Sequence, residues 1–266
     1  MTPAQLAELP VPRLLIWRHG RTEWNATGRF QGQLDTPLDD TGREQAVRAA
    51  PYLVAAGLPP EDAVVVSSDL SRAAQTAATL TALLGVPLRL DPRLREHGLG
   101  SWEGLSREEV ATRLPEQYAD WQAGRPVRGR GGEEPAEVAA RALAALADLP
   151  PAPVAVVVTH GGTAGRLVEA LLQLGAEHRR LFGPLGNCAW SELSRQGGRW
   201  RLIRHNVVPL QLPDTRTGAQ PAAPGPVLRA VPDADEQATV PAPCRPAGND
   251  PAEDPAVQPG DADAVL

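Results

Sequence analysis

Apolar residues in this chain gather into short continuous runs, and each run stops at a cluster of polar and glycine residues. Arg13 to Trp17, Ala63 to Val66, Val86 to Leu90 and Val154 to Val158 are the clearest. They are too short for helices and apolar at consecutive positions, which is the pattern of parallel strands buried on both faces. Between them apolar residues recur at three- and four-residue intervals. That spacing predicts helices over Thr41 to Ala56 and Leu70 to Leu84, each stopped by a glycine, Gly57 and Gly85. Further helices are predicted over Ser106 to Leu114, Glu133 to Leu149 and Gly162 to Leu174. Cys188 to Leu193 and Trp200 to Arg204 flank a Gly197-Gly198 turn and read as late strands. Strand and helix in alternation predict an α/β fold of three layers, α/β/α, with a mostly parallel central sheet. Ligands of such sheets bind beyond the carboxyl ends of the strands. The polar clusters that close the runs are therefore where chemistry is expected.

The pattern collapses near Gln211. From Leu212 to Leu266 there are eleven prolines and scattered acids, with little to bury. This predicts a catalytic domain over residues 1–211 and a disordered tail over 212–266. Charge divides the same way. Nine acidic residues and three arginines lie in the tail, so the tail carries the whole net charge of −6. A neutral body does not suit a nucleic-acid-binding protein. No apolar run approaches the roughly 20 residues that cross a bilayer. Met1 to Pro12 holds no basic residue and does not read as a signal peptide. With only Cys188 and Cys244, no disulfide framework is expected, and a cytoplasmic location follows. All 26 basic residues are arginine, which we attribute to codon usage in a G+C-rich genome.

Three runs close on reactive groups. The first ends in Arg18-His19-Gly20-Arg21-Thr22, the second in Ser67-Ser68-Asp69-Leu70-Ser71-Arg72, and the Val154 run in Thr159-His160-Gly161-Gly162. A loop adds Arg95-Glu96-His97-Gly98. Adjacent strands bring two histidines, two arginines and a glutamate to one sheet edge. Phosphoryl transfer needs a nucleophile, fixed positive charge for the nonbridging oxygens and a proton for the leaving group. Imidazole can form a covalent phosphohistidine. Guanidinium forks match phosphate oxygens in pairs. Gly161 and Gly162 open a helix whose N–H groups favour an anion. Taken singly, each residue has a plainer explanation: a lone histidine at a strand end is usually a satisfied core residue, and a lone arginine on a helix is usually a surface charge.

The motifs together resemble the histidine phosphatase superfamily, which includes phosphoglycerate mutases and acid phosphatases. The resemblance lies in Arg18-His19-Gly20 with Thr22 to Asn25, then Gly28 to Gly32 with Asp35 to Leu38. It continues in Ser67 to Ala73 with Thr76-Ala77, Leu94 to Glu96 with Gly100 to Gly104, and Thr159 to Gly162. It runs in order from Arg13 to Asn206. It implies that His19 accepts the phosphoryl group, that Arg18, Arg72 and His160 hold it with Asn25 and the Gly161 backbone, and that Glu96 protonates the leaving oxygen and then activates water. Gln31 would line the entrance. No metal or cofactor is implied, the substrate is a small phosphomonoester, and homodimers occur in the family. Within it, Gly186 to Trp190 and Arg199 to Leu202, with Asn206, resemble actinobacterial glucosyl-3-phosphoglycerate phosphatases.

Two other activities compete within this family. Mutases carry a longer insertion between the acid and the second histidine, whereas Glu96 and His160 are 64 positions apart here. That favours a phosphatase over a phosphoglycerate mutase. A non-catalytic phospho-ligand binder is disfavoured, because no matching catalytic position is replaced. The glycine-rich stretch from Gly124 to Gly132, with Arg125, Arg128 and Arg130, is either a flexible charged loop or an arginine clamp for an acidic substrate. Gly98 to Gly104 is a poor dinucleotide fingerprint, since no strand directly precedes it. A downstream G-x-S-x-G elbow is absent, which argues against a serine esterase. Trp102, Trp121, Trp190 and Trp200 are expected in packing rather than in base stacking.

Overall fold

The computed structural model describes residues 1–59, 62–175, 178 and 181–209. The tail read over residues 212–266 lies outside them. A single six-stranded sheet runs through the described part in the order β3-β2-β4-β1-β5-β6. The strands are β1 Arg13–Arg18, β2 Ala63–Ser67, β3 Leu88–Leu90, β4 Val154–Thr159, β5 Trp190–Gln196 and β6 Arg199–Val207. The pairs β1–β4, β2–β4 and β2–β3 are parallel. The two late strands are antiparallel, β5 to β1 and β6 to β5. The sheet is therefore mixed but mainly parallel, as the alternation predicts.

Side chains alternate across it. Leu14 and Ile16 of β1 enter one core with Ala155 and Val157 of β4. Leu15 and Trp17 enter the other with Val154, Val156 and Val158. Successive residues of a strand face opposite sides, so a run with no polar position demands cover on both. Helices α3 (Asp40–Ala55) and α4 (Ser71–Leu84) cover one face, and α7 (Pro135–Ala147) and α8 (Gly161–Leu171) the other. The remaining helices are α1 (Pro3–Ala7), α2 (Glu23–Ala26), α5 (Arg107–Arg113) and α6 (Pro115–Ala123).

Helix ends follow their residues. Asp39 accepts from the Gly42 N–H at the start of α3, at 2.7 Å. Gly85 ends α4 at φ +70°, the left-handed geometry that glycine takes at no steric cost. Differences from the sequence pattern lie mostly at edges. The third strand begins at Leu88 rather than Val86, because Gly85 and Val86 close the turn of α4. The fifth begins at Trp190, since Cys188 takes φ +56° and cannot continue a ladder. Helix α8 ends at Leu171 rather than Leu174. Helix α6 has no fully buried residue, so the periodicity gives no sign of it.

Candidate active site

The strand order places the closing clusters side by side. His19 follows β1, His160 follows β4 and Ser68 follows β2, and β4 lies between the other two. The glycine after His19 is sterically required: a Cβ on Gly20 would stand 2.4 Å from the Gly42 carbonyl oxygen. The chain can therefore turn sharply and leave the His19 ring over the sheet edge. His19 is 2% exposed. Its Nδ1 lies 2.7 Å from the Gly20 carbonyl oxygen, which can only accept. The proton thus sits on Nδ1, and Nε2 keeps its lone pair. Burial first, then the charges of Arg72 and Arg18, hold the imidazole well below its usual range. The ring is therefore neutral at ordinary pH.

His160 caps α8, and its ring lies 5.1 Å from that of His19. Arg72 Nε donates to its Nδ1 at 3.1 Å, and Ser68 Oγ lies 2.9 Å from its Nε2. Since guanidinium can only donate, the His160 proton is on Nε2 and points to Ser68. Burial and the neighbouring Arg72 also hold His160 well below its usual range. Arg72 is 0% exposed, and burial pushes it down to about 10. Its Nη1 and Nη2 donate to the carbonyls of Leu34 and Gly32, both at 2.8 Å. Arg18 donates from Nη1 to Leu185 O at 2.6 Å, while its Nε is buried without a partner.

Glu96 comes from the loop that follows β3. Its carboxylate accepts from the N–H groups of Gly162 (3.0 Å), Thr163 (2.9 Å) and His97 (2.8 Å), so it occupies the start of α8. A Cβ on Gly162 would lie 2.6 Å from Glu96 Oε1, which explains the second glycine. The helix terminus expected to bind an anion thus already holds the Glu96 carboxyl group. Asn25 Oδ1 accepts from Asn187 Nδ2 (3.1 Å), and Gln31 Oε1 accepts from Thr36 (2.6 Å). Their amide NH₂ groups remain for a ligand.

A cavity of about 990 Å³ opens above these groups. Arg18, His19, Asn25, Gln31, Arg72, Glu96 and Gly161 all line it. His160 is not among the lining residues; it accepts a hydrogen bond from Arg72, and its ring lies next to that of His19. The outer wall carries Phe30, Trp121, Phe182 and several arginines. Of the arginine stretch, Arg125 and Arg130 line the cavity. Arg125 pairs with Asp120, Arg130 stacks over Trp102 at 5.4 Å, and Arg128 is not on the wall.

Residues 14–208 match the family described as histidine phosphatase superfamily (branch 1). The chain belongs to that superfamily. It is 39% identical over 217 residues to a glucosyl-3-phosphoglycerate phosphatase of Mycolicibacterium vanbaalenii, covering 72% of this chain and 93% of that one. A probable phosphoglycerate mutase GpmB of Cronobacter sakazakii is 37% identical over 196 residues, 71% of this chain and 87% of that one. A solved mycobacterial glucosyl-3-phosphoglycerate phosphatase in complex with VO3 superposes with a TM-score of 0.65 at 40% identity, over 73% of this chain and 98% of the other. This member of the histidine phosphatase superfamily is accordingly a phosphomonoester hydrolase of the phosphoglycerate mutase-like type.

The sequence pattern left some of the site without a role. Ser68 and Asn187 sit inside the quoted motifs, yet only the fold brings Ser68 to His160 and Asn187 to Asn25. Arg107 lines the cavity and has no motif at all. Cys188 lies close enough to Arg18 for their charges to interact, but burial pushes its thiol up to about 12, so it is not a reactive thiolate. No helix among the described residues is long and apolar enough to cross a membrane.

Proposed function

We propose that this enzyme hydrolyses a small acidic sugar phosphate, glucosyl-3-phosphoglycerate or a close relative, in two steps through a phosphohistidine on His19. One observation carries the mechanism. The Gly20 carbonyl holds the proton of His19 on Nδ1, which leaves Nε2 free under the guanidinium groups of Arg18 and Arg72. In the first step Nε2 attacks phosphorus and the P–O ester bond breaks. Glu96, in its acid form, gives a proton to the departing oxygen. Arg18 and Arg72 balance the charge on the nonbridging oxygens, with the free amides of Asn25 and Gln31 beside them. In the second step water attacks phosphorus, the N–P bond breaks, and Glu96 takes the proton from the water. Inorganic phosphate leaves and His19 is restored.

The substrate assignment rests on the outer cavity. Its volume exceeds what a phosphate alone needs, and its wall mixes aromatic rings with arginines. Such a wall suits a sugar together with a second anion. The similarity to glucosyl-3-phosphoglycerate phosphatases supports the same class. The short Glu96–His160 interval favours water over a bound sugar acid as the second acceptor. A panel containing glucosyl-3-phosphoglycerate, 3-phosphoglycerate with and without bisphosphoglycerate, sugar phosphates and 4-nitrophenyl phosphate tests this. Phosphate release that peaks on the glucosylated acid is the expected result. Interconversion of phosphoglycerates without release would make the protein a mutase.

A further inference from the structure

The backbone that carries Glu96 is held by one arginine outside the motifs. Arg141, in α7, engages all five of its guanidinium N–H groups inside the protein. Nε and Nη2 donate to the two oxygens of Glu133 at 2.6 and 2.8 Å. Nη1 donates to the carbonyls of Arg93 and Arg95, both at 2.7 Å, and Nη2 also reaches the Glu96 carbonyl at 2.9 Å. Glu133 closes the ring from the other side by accepting from the Gly98 N–H at 2.8 Å. The two side chains are 18% and 23% exposed.

A surface ion pair makes one or two bonds and is worth little. This pair instead satisfies three carbonyls of one loop and the N–H just beyond them. Buried polar groups of a loop need partners, and here the partners surround Glu96. We propose that the Arg141–Glu133 pair positions the proton donor: it fixes the backbone from Arg93 to Gly98 so that the Glu96 carboxyl faces the ester oxygen from the start of α8. Neither residue lines the cavity. The inference rests on the assignment of Glu96 as general acid made above.

Leaving-group dependence separates positioning from mere support of the fold. An alkoxide departs from phosphorus only with a proton, whereas 4-nitrophenolate departs without one. kcat/KM reports the step that forms the phosphoenzyme, before water enters. Arg141→Lys keeps the charge but cannot meet five acceptors. We expect it to lower kcat/KM on an alkyl phosphomonoester such as glycerol phosphate about 10-fold or more, and on 4-nitrophenyl phosphate less than about 3-fold. Equal losses on both esters would overturn the proposal. Glu96→Gln is measured alongside. If it loses equally on both esters, Glu96 is not the acid and the underlying reading fails first. If it discriminates and Arg141→Lys does not, only the positioning role falls. Should Arg141→Lys fail to fold by circular dichroism, Glu133→Gln carries the same test with the same expected ratio.

Discussion

The two ends of the cavity are built differently. Around His19 the polar groups sit where β1, β4 and β2 end, and they are sealed: His19, His160 and Arg72 are 2%, 0% and 0% exposed. The outer wall, with Arg107, Trp121 and Arg125, comes from loops and short helices that pair with no strand, and these residues are half-buried or exposed. In the proposed mechanism the inner end meets the phosphoryl group, which every phosphomonoester shares, and strand ends hold it. The outer end would then meet the rest of the substrate, where one enzyme must differ from another. Buried ladders fix chemistry, and loop-borne side chains are free to set selectivity.

The largest break falls on the inner end. His19→Ala removes the proposed nucleophile, whose Nε2 keeps its lone pair. We expect kcat to fall about 10⁴-fold or more and acid-labile labelled phosphoenzyme to disappear on every substrate alike. Labelled protein in that variant would move the nucleophile elsewhere. Because every phosphomonoester would need the same nucleophile, the loss should be as complete on 4-nitrophenyl phosphate as on a sugar phosphate.

The outer wall has its own structural centre, and it should fail in stability rather than in chemistry. Trp102 is 0% exposed, packs against Phe30 and Trp121 at centroid distances of 5.0 and 6.1 Å, and donates from Nε1 to Gln117 at 2.8 Å. Trp102→Ala leaves a cavity there. A loss of about 3–5 kcal/mol is expected in denaturant unfolding. A loss below about 1 kcal/mol would mean that this wall collapses to fill the space.

The same contrast explains what the sequence disclosed. The inner end was legible because a parallel strand is a continuous apolar run and its reactive residues follow within two positions. His19 and His160 each follow directly on the end of their strand. The outer wall was not. Helix α6 begins at Pro115 and buries none of its residues fully, so it has no apolar stripe to read. Arg141 looks like an ordinary polar position between alanines of α7; the carbonyls it binds, on Arg93, Arg95 and Glu96, lie more than forty positions earlier. Residue type gave Glu96 and Arg130 their chemistry, but only the fold shows that Glu96 occupies a helix start and that Arg130 is taken up by Trp102.

Acid distinguishes the ends by stability. His19 and His160 are both held below 6.5 by burial and neighbouring arginines, and burial lowers His97 as well. An unfolded chain takes up these protons as pH falls through about 6.5, while the folded chain resists. The unfolded state then binds more protons, so stability is full above that pH and declines below it. Each buried histidine contributes a slope of about 1.4 kcal/mol per pH unit. His160→Gln should reduce the slope between pH 6.5 and 5 by about one proton. Coincident slopes for variant and parent would show that His160 is charged in the folded protein.

The smallest effect is the one that tests selectivity. Arg107 and Arg125 both line the cavity, and both are exposed. Arg125 is bound to Asp120 at 2.7 Å. Arg107 makes no ion pair among the described residues, and it is near enough for its charge to bear on Arg18. An arginine already neutralised by a carboxylate gains little from a second one, whereas a solitary arginine gains a charge-assisted hydrogen bond. Arg107→Ala should therefore raise KM for a phosphomonoester that also carries a carboxylate by about 10-fold, equivalent to about 1.4 kcal/mol. It should leave KM for a neutral sugar phosphate within about 2-fold. Arg125→Ala should leave both within about 2-fold. If the two variants act in reverse, the stretch from Gly124 to Gly132 is the anion clamp after all, and Asp120 must release Arg125 when substrate arrives.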